Sequence, residues 1–156
     1  MAAPPADSPG VRIPPPVVYA ATFLAGVGLQ RLIHLPFLPR PVALGLGGAL
    51  LAGGVIVNLS AVPTMLRGHG TLNTSAPSAA LVTSGPYRFS RNPMYVGLTL
   101  MYAGLASVFS VVWALPLLAL ALLYTNFRVI APEERYLERR FGEAYRVYRA
   151  RVHRWL

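Results

Sequence analysis

Thirty-six consecutive residues, Asn92 to Phe127, carry no charged side chain, and a second such run covers the 26 residues from Pro41 to Leu66. A soluble domain of this size has too little polar surface to cover so much unbroken apolar chain. Composition agrees: of 156 residues, 54% are hydrophobic and 12% charged, about half the usual charged share. A helix rises about 1.5 Å per residue and a bilayer core is about 30 Å thick, so one span takes about 20 residues. The Pro41–Leu66 run is one span. The Asn92–Phe127 run would be about 54 Å long if straight, and reads as a tight helical hairpin turning near Ser107–Ser110. A further apolar run, Val17 to Leu35, is interrupted by Gln30, Arg31 and His34. The expected fold is all-α: a polytopic membrane helical bundle of four segments, 17–35, 42–66, 93–106 and 111–130. A disordered Pro/Ala-rich start, 1–16, precedes a single domain, 17–156, which ends in a cytosolic amphipathic helix over 132–152.

The basic residues sort by side. All 14 are Arg, against 5 acidic residues. With four passes, Arg31 and Arg40 lie on one face and the other twelve on the opposite one, with both termini. The positive-inside rule makes the arginine-rich face cytoplasmic. The net charge of +9 then reflects topology and attraction to membrane lipids rather than nucleic-acid binding. Reading Arg12 and the apolar run after it as a cleaved signal peptide would remove a span and spoil this partition.

Familiar soluble chemistry is missing from the chain. It has no G-x-S-x-G elbow, no P-loop and no cysteine. His34, His69 and His153 are far apart, so no metal is expected. Gly45-Leu46-Gly47-Gly48 and Gly53-Gly54 sit inside an apolar span, where small residues let helices approach closely.

Two polar segments remain. The first runs Leu81-Val82-Thr83-Ser84-Gly85-Pro86-Tyr87-Arg88-Phe89-Ser90-Arg91-Asn92-Pro93-Met94-Tyr95-Val96-Gly97. Gly85-Pro86 marks a turn. Asn92 before Pro93 reads as an N-cap followed by proline at the first helical position. The positive helix end suits a carboxylate or phosphate, and Tyr87, Phe89 and Tyr95 supply aromatic faces. The second segment places Glu133 and Glu134 behind Pro132, a second helix start, directly after an apolar span. Leu137, Phe141, Tyr145, Tyr148 and Val152 follow as an apolar stripe, with Gly142 as a break. The stripe alone fits a basic helix lying on a bilayer, but two adjacent carboxylates at the end of a span also suit a cationic ligand group.

The ordered set, Gly85-Pro86-Tyr87, Arg91-Asn92-Pro93-Met94-Tyr95-Val96-Gly97, a hairpin, then Glu133-Glu134, Leu137, Phe141-Gly142 and Tyr145, resembles the isoprenylcysteine carboxyl methyltransferase and phospholipid methyltransferase family of integral membrane enzymes. The resemblance covers Leu81 to Tyr148. It implies an S-adenosyl-L-methionine-dependent methyltransferase acting on a lipophilic acceptor, an isoprenylcysteine-like carboxylate or a phospholipid amine. It also implies a cytosol-facing cofactor site. Leu81 and Val82 would line that site, and Tyr87, Asn92, Pro93, Met94 and Tyr95 would hold the adenosine and sulfonium portion. Glu133 or Glu134 would take the amino group of the methionine moiety. Arg128 is the nearest candidate for acceptor contact. Asn92 stands where the isoprenylcysteine branch has His. Methyl transfer from a cationic sulfur rests largely on positioning and water exclusion, and aromatic faces stabilise a sulfonium. The contrasting expectation, from the apolar runs alone, is a non-catalytic helical bundle with a basic lipid-binding tail.

Overall fold

The computed structural model describes residues 13–71 and 78–156; the Pro/Ala-rich start up to residue 12 lies outside them. Among the described residues every regular element is helical. Helices α1 (Pro15–Leu32), α2 (Arg40–Arg67), α3 (Pro93–Val108), α4 (Ala114–Tyr124), α5 (Ala131–Phe141) and α6 (Glu143–Arg151) follow in order, with a 3₁₀ turn at Gly85–Arg88. Proline opens three of them. Pro15, Pro41 and Pro93 sit in first turns, where the missing N–H has no partner to lose and φ is already helical. The α3–α4 turn falls where the sequence places it, with Ser110 in the left-handed region at φ 54°.

Helix α1 packs on α4, α2 on α3, and α3 on α4. The interior is made mostly of small and aromatic residues. Tyr19, Tyr102, Ala106, Val111, Ala114, Leu118 and Ala121 form the main cluster. Tyr102 meets the edges of Tyr19 and Phe23 at 5.9 and 5.4 Å between ring centroids. The large aliphatics point outward: Leu24, Ile56 and Leu59 are 67%, 65% and 70% exposed. Such a surface belongs in hydrocarbon, because in water it would be the core. Two helices, Arg40–Arg67 and Ala114–Phe141, are long and apolar enough to cross a membrane, with mean hydropathies of 2.0 and 1.7.

The face of α2 against α3 is a stripe of Ala43, Gly47, Gly54 and Ala61. A Cβ on Gly54 would stand 2.6 Å from the Gly97 carbonyl oxygen, and one on Gly47 2.9 Å from that of Gly104. Gly45, Gly48 and Gly53 face open space, so only part of the glycine run serves helix approach. Gly54→Ala should therefore cost about 1–3 kcal/mol, whereas Gly53→Ala should be neutral or slightly stabilising. Thermal unfolding in detergent checks this, and equal midpoints for the two variants would refute the packing argument.

The structure corrects one sequence expectation. No new helix starts at Pro132. The α4 helix passes through a π-helical stretch, Thr125–Ile130, directly into α5, making one 28-residue helix from Ala114 to Phe141. A proline ring clashes with the carbonyl four residues earlier, here that of Arg128. The widened π turn contains that residue, and such a turn gives the ring room. The helix ends at Gly142, at φ 54° and ψ −122°, and α6 turns back. The 132–152 segment is thus two helices folded over one end of the bundle. Three long-range bonds define the ends. Arg40 donates to the Val108 carbonyl at 2.6 Å and Trp113 to that of Ile33 at 2.9 Å, so both short connections share one end. At the other, Tyr124 donates to the Ile13 carbonyl at 3.3 Å.

Candidate functional site

At that second end three stretches meet: the segment from Leu81 to Tyr95, the start of α5, and α6 with the residues after it. Gly85 takes φ 57° against Thr64 of α2, a conformation that favours glycine. The turn it permits drives Tyr87 inward, beside Ala61, Val82, Met65 and Met94. Tyr148 of α6 donates its hydroxyl to the Tyr87 carbonyl at 2.7 Å. The Tyr87 hydroxyl itself is buried without a partner. Burial, reinforced by the Glu133 charge, raises its pKa above the ordinary phenol range, so the group stays protonated.

Asn92 stands just before α3, but its side chain does not cap that helix. Its Nδ2 donates instead to the Arg154 carbonyl at 2.9 Å, while the Arg91 amide donates to the His153 carbonyl at 2.9 Å. The tail, unforeseen from sequence, takes the Nδ2 donor of a side chain whose oxygen makes no capping bond to α3.

The two adjacent glutamates have opposite surroundings. Glu134 is saturated. Arg154 grips both its oxygens, Nε to Oε1 at 3.0 Å and Nη2 to Oε2 at 2.6 Å, and the Arg91 guanidinium adds a 3.0 Å ion pair. Arg91 also donates to the Tyr145 hydroxyl at 3.2 Å, and its Nε is buried without a partner. Glu133 has no hydrogen bond or ion pair among the described residues. Burial, and secondly the charge of Glu134, raise its pKa to about 7.

Two adjoining cavities share Met65, Tyr87, Arg91, Asn92 and Glu133. The larger has a volume of about 60 Å³ and the smaller about 20 Å³. Leu81, Val82, Tyr87, Asn92, Glu133 and Glu134 line the larger; Tyr87, Asn92, Pro93, Met94, Tyr95 and Glu133 line the smaller. The fold thus brings together all nine residues singled out in sequence for a cofactor. Arg128 lines neither and is exposed beside Phe127. Sequence reasoning passed over Arg91, Tyr136 and Arg154. Arg91 opens the Arg91–Gly97 motif. Tyr136, whose hydroxyl accepts from the Ser78 amide at 3.0 Å, and Arg154 carry no local signal. Past the site, an apolar groove of about 700 Å³ runs between α3 and α4, lined by Val96, Leu100, Leu122, Leu123, Phe127, Trp155 and others.

An apolar-coated helical bundle of this kind defines a membrane-associated protein. A family model described as phospholipid methyltransferase matches residues 42–144, and the chain belongs to that family. The match spans both sides of the cavity, from α2 to the start of α6. No curated protein and no solved structure matches the chain.

Proposed function

We propose that this protein transfers a methyl group from S-adenosylmethionine to a lipophilic acceptor. The observation that carries this is a set of uncommitted polar groups around one cavity: the buried Tyr87 hydroxyl and Arg91 Nε, which have no partner, and the half-buried Glu133 carboxylate, which makes no hydrogen bond or ion pair among the described residues. Buried polar atoms without partners are costly, so they mark a ligand's place. A ligand with an ammonium, a sulfonium and a ring system fits them. Glu133 would hold the ammonium, Tyr87 and Tyr95 would offer faces to the sulfonium, and Leu81 and Val82 would cover apolar ring surface. Asn92, Pro93 and Met94 would border the rest. Glu134 serves here as the anchor for Arg91 and Arg154. The bound cofactor would supply an activated methyl group; the chain's part is to orient it and keep water out. The neighbouring apolar groove supports a lipophilic acceptor arriving sideways from the bilayer.

The bundle reads as four passes with both termini cytoplasmic. Support comes from the arginines: Arg31 and Arg40 flank the short connection at one end, and the rest lie toward the site end or the start of the chain. The cofactor would then enter from the cytosol. Calorimetry on protein in detergent tests the function, with saturable binding of S-adenosylmethionine expected. Heat-silent titration at millimolar cofactor would leave only a lipid-bound helical bundle.

A further inference from the structure

Among the described residues the side-chain carboxylates are Glu133, Glu134, Glu138 and Glu143. Glu134 takes Arg91 and Arg154, Glu138 takes Arg149, and Glu143 takes Arg146. Arg88 and Arg151 are left with no ion pair and no side-chain hydrogen bond among the described residues. Arg88 ends the Gly85–Arg88 turn and Arg151 ends α6, yet both line one cleft of about 480 Å³. Two like charges repel, so sharing a cleft is unfavourable unless an anion joins them. The Thr83 hydroxyl, also without a partner, lines the same cleft, and no carboxylate does. A phosphate ester has acceptors enough for two guanidinium forks and a hydroxyl.

The surroundings of the cleft favour a lipid over a soluble anion. Its lip is apolar: Val147 lines it and is 41% exposed, and Phe89, next to Arg88, is 76% exposed. Helix α3 begins at Pro93, just past Phe89, and its charge-free run enters the hydrocarbon from there. An aromatic ring at this depth lies at the level of lipid headgroups, where basic pockets take anionic lipids. The inner wall is Tyr148, which also lines the polar cavity and donates to the Tyr87 carbonyl at 2.7 Å. We propose that the cleft seats the phosphate of an anionic membrane lipid between Arg88, Arg151 and Thr83, tying the Gly85–Arg88 turn to α6 and bracing the cavity behind Tyr148. The seat does not rest on the methyltransferase reading.

Native mass spectrometry of the full chain in neutral detergent reads the seat, and the thermal midpoint reads the bracing. One dioleoylphosphatidylglycerol should be retained at about tenfold lower concentration than dioleoylphosphatidylcholine, whose ammonium offsets the phosphate, and should raise the midpoint. Arg88→Gln with Arg151→Gln should weaken that retention about 10- to 100-fold and remove the rise. Arg135→Gln with Arg139→Gln deletes the same charge from exposed arginines of α5 that have no acidic partner among the described residues. That pair of changes should leave retention within about threefold. Should the first double variant fail to fold, Arg88→Lys with Arg151→Lys keeps the charge but loses the forks, and should weaken retention by about three- to tenfold. Equal losses in the two glutamine variants would reduce the effect to bulk charge and overturn the site, as would unchanged retention in the lysine variant. Inorganic phosphate that raises the midpoint as far as the lipid at equal concentration would put a soluble anion in the cleft and overturn the lipid assignment. Retention of phosphatidylglycerol with an unmoved midpoint would overturn the bracing.

Discussion

Glu133→Gln is expected to weaken S-adenosylmethionine binding by about 10- to 100-fold at pH 8, with the helices intact. A hydrogen bond between charged partners contributes about 1.5–3 kcal/mol, and Glu133 is the carboxylate of the site that no arginine occupies. The pH dependence gives a sharper signature. In the free protein Glu133 keeps its proton up to about pH 7, and an ammonium binds the ionised form. Affinity in the parent protein should therefore rise with pH, about tenfold per unit below that value, and level off above it. The Gln variant should lose this rise. Linkage gives the matching stability effect. The folded group titrates near 7 and the unfolded one near 4.5, so the folded state binds more protons between them. The stability contributed by Glu133 is thus fully present below the unfolded value and falls away as pH rises to 7. Cofactor should restore it above that point. A parent affinity that is flat from pH 5 to 8 would remove Glu133 from the site.

Glu134→Ala is expected to do the reverse: damage the fold first. Removing this carboxylate leaves two guanidiniums, Arg91 and Arg154, without their shared counter-ion. The Arg91 and Glu134 side chains are only 11% and 12% exposed. Breaking a buried pair costs about 3–5 kcal/mol, because the orphaned charge stays desolvated. Here the loss also loosens the tail, which keeps its bonds from Asn92 and Arg91 and to Asn126. The thermal midpoint of Glu134→Ala in detergent should fall well below that of Glu133→Ala, which removes an unpaired and partly protonated carboxylate. Matching midpoints would mean that the two neighbours are equivalent and that the arginine grip carries no weight.

Much of the architecture was legible in the chain, because helix length and helix ends are local properties. The charge-free runs measure the helices. Pro15, Pro41 and Pro93 mark three starts and Gly142 an end, since each acts through its own φ or its own missing N–H. The residues that gather at the cavity were legible for a different reason: Tyr87, Asn92, Tyr95 and Glu133 sit in motifs whose order resembles a known family. Local reading failed where a distant partner decided. Asn92 looks like a cap, but the Arg154 carbonyl takes its amide. Pro132 looks like a start, but the π turn before it lets the helix run through.

What the amino-acid order determined alone is that this chain folds as apolar helices and exposes its greasy side, because hydropathy over twenty residues overrides any later contact. Which of two neighbouring carboxylates is free, which of the α2 glycines touch α3, and which two arginines share a cleft were decided only by the tertiary structure. Each depends on a residue tens of positions away, and identical local chemistry takes opposite roles according to the partner that the fold delivers.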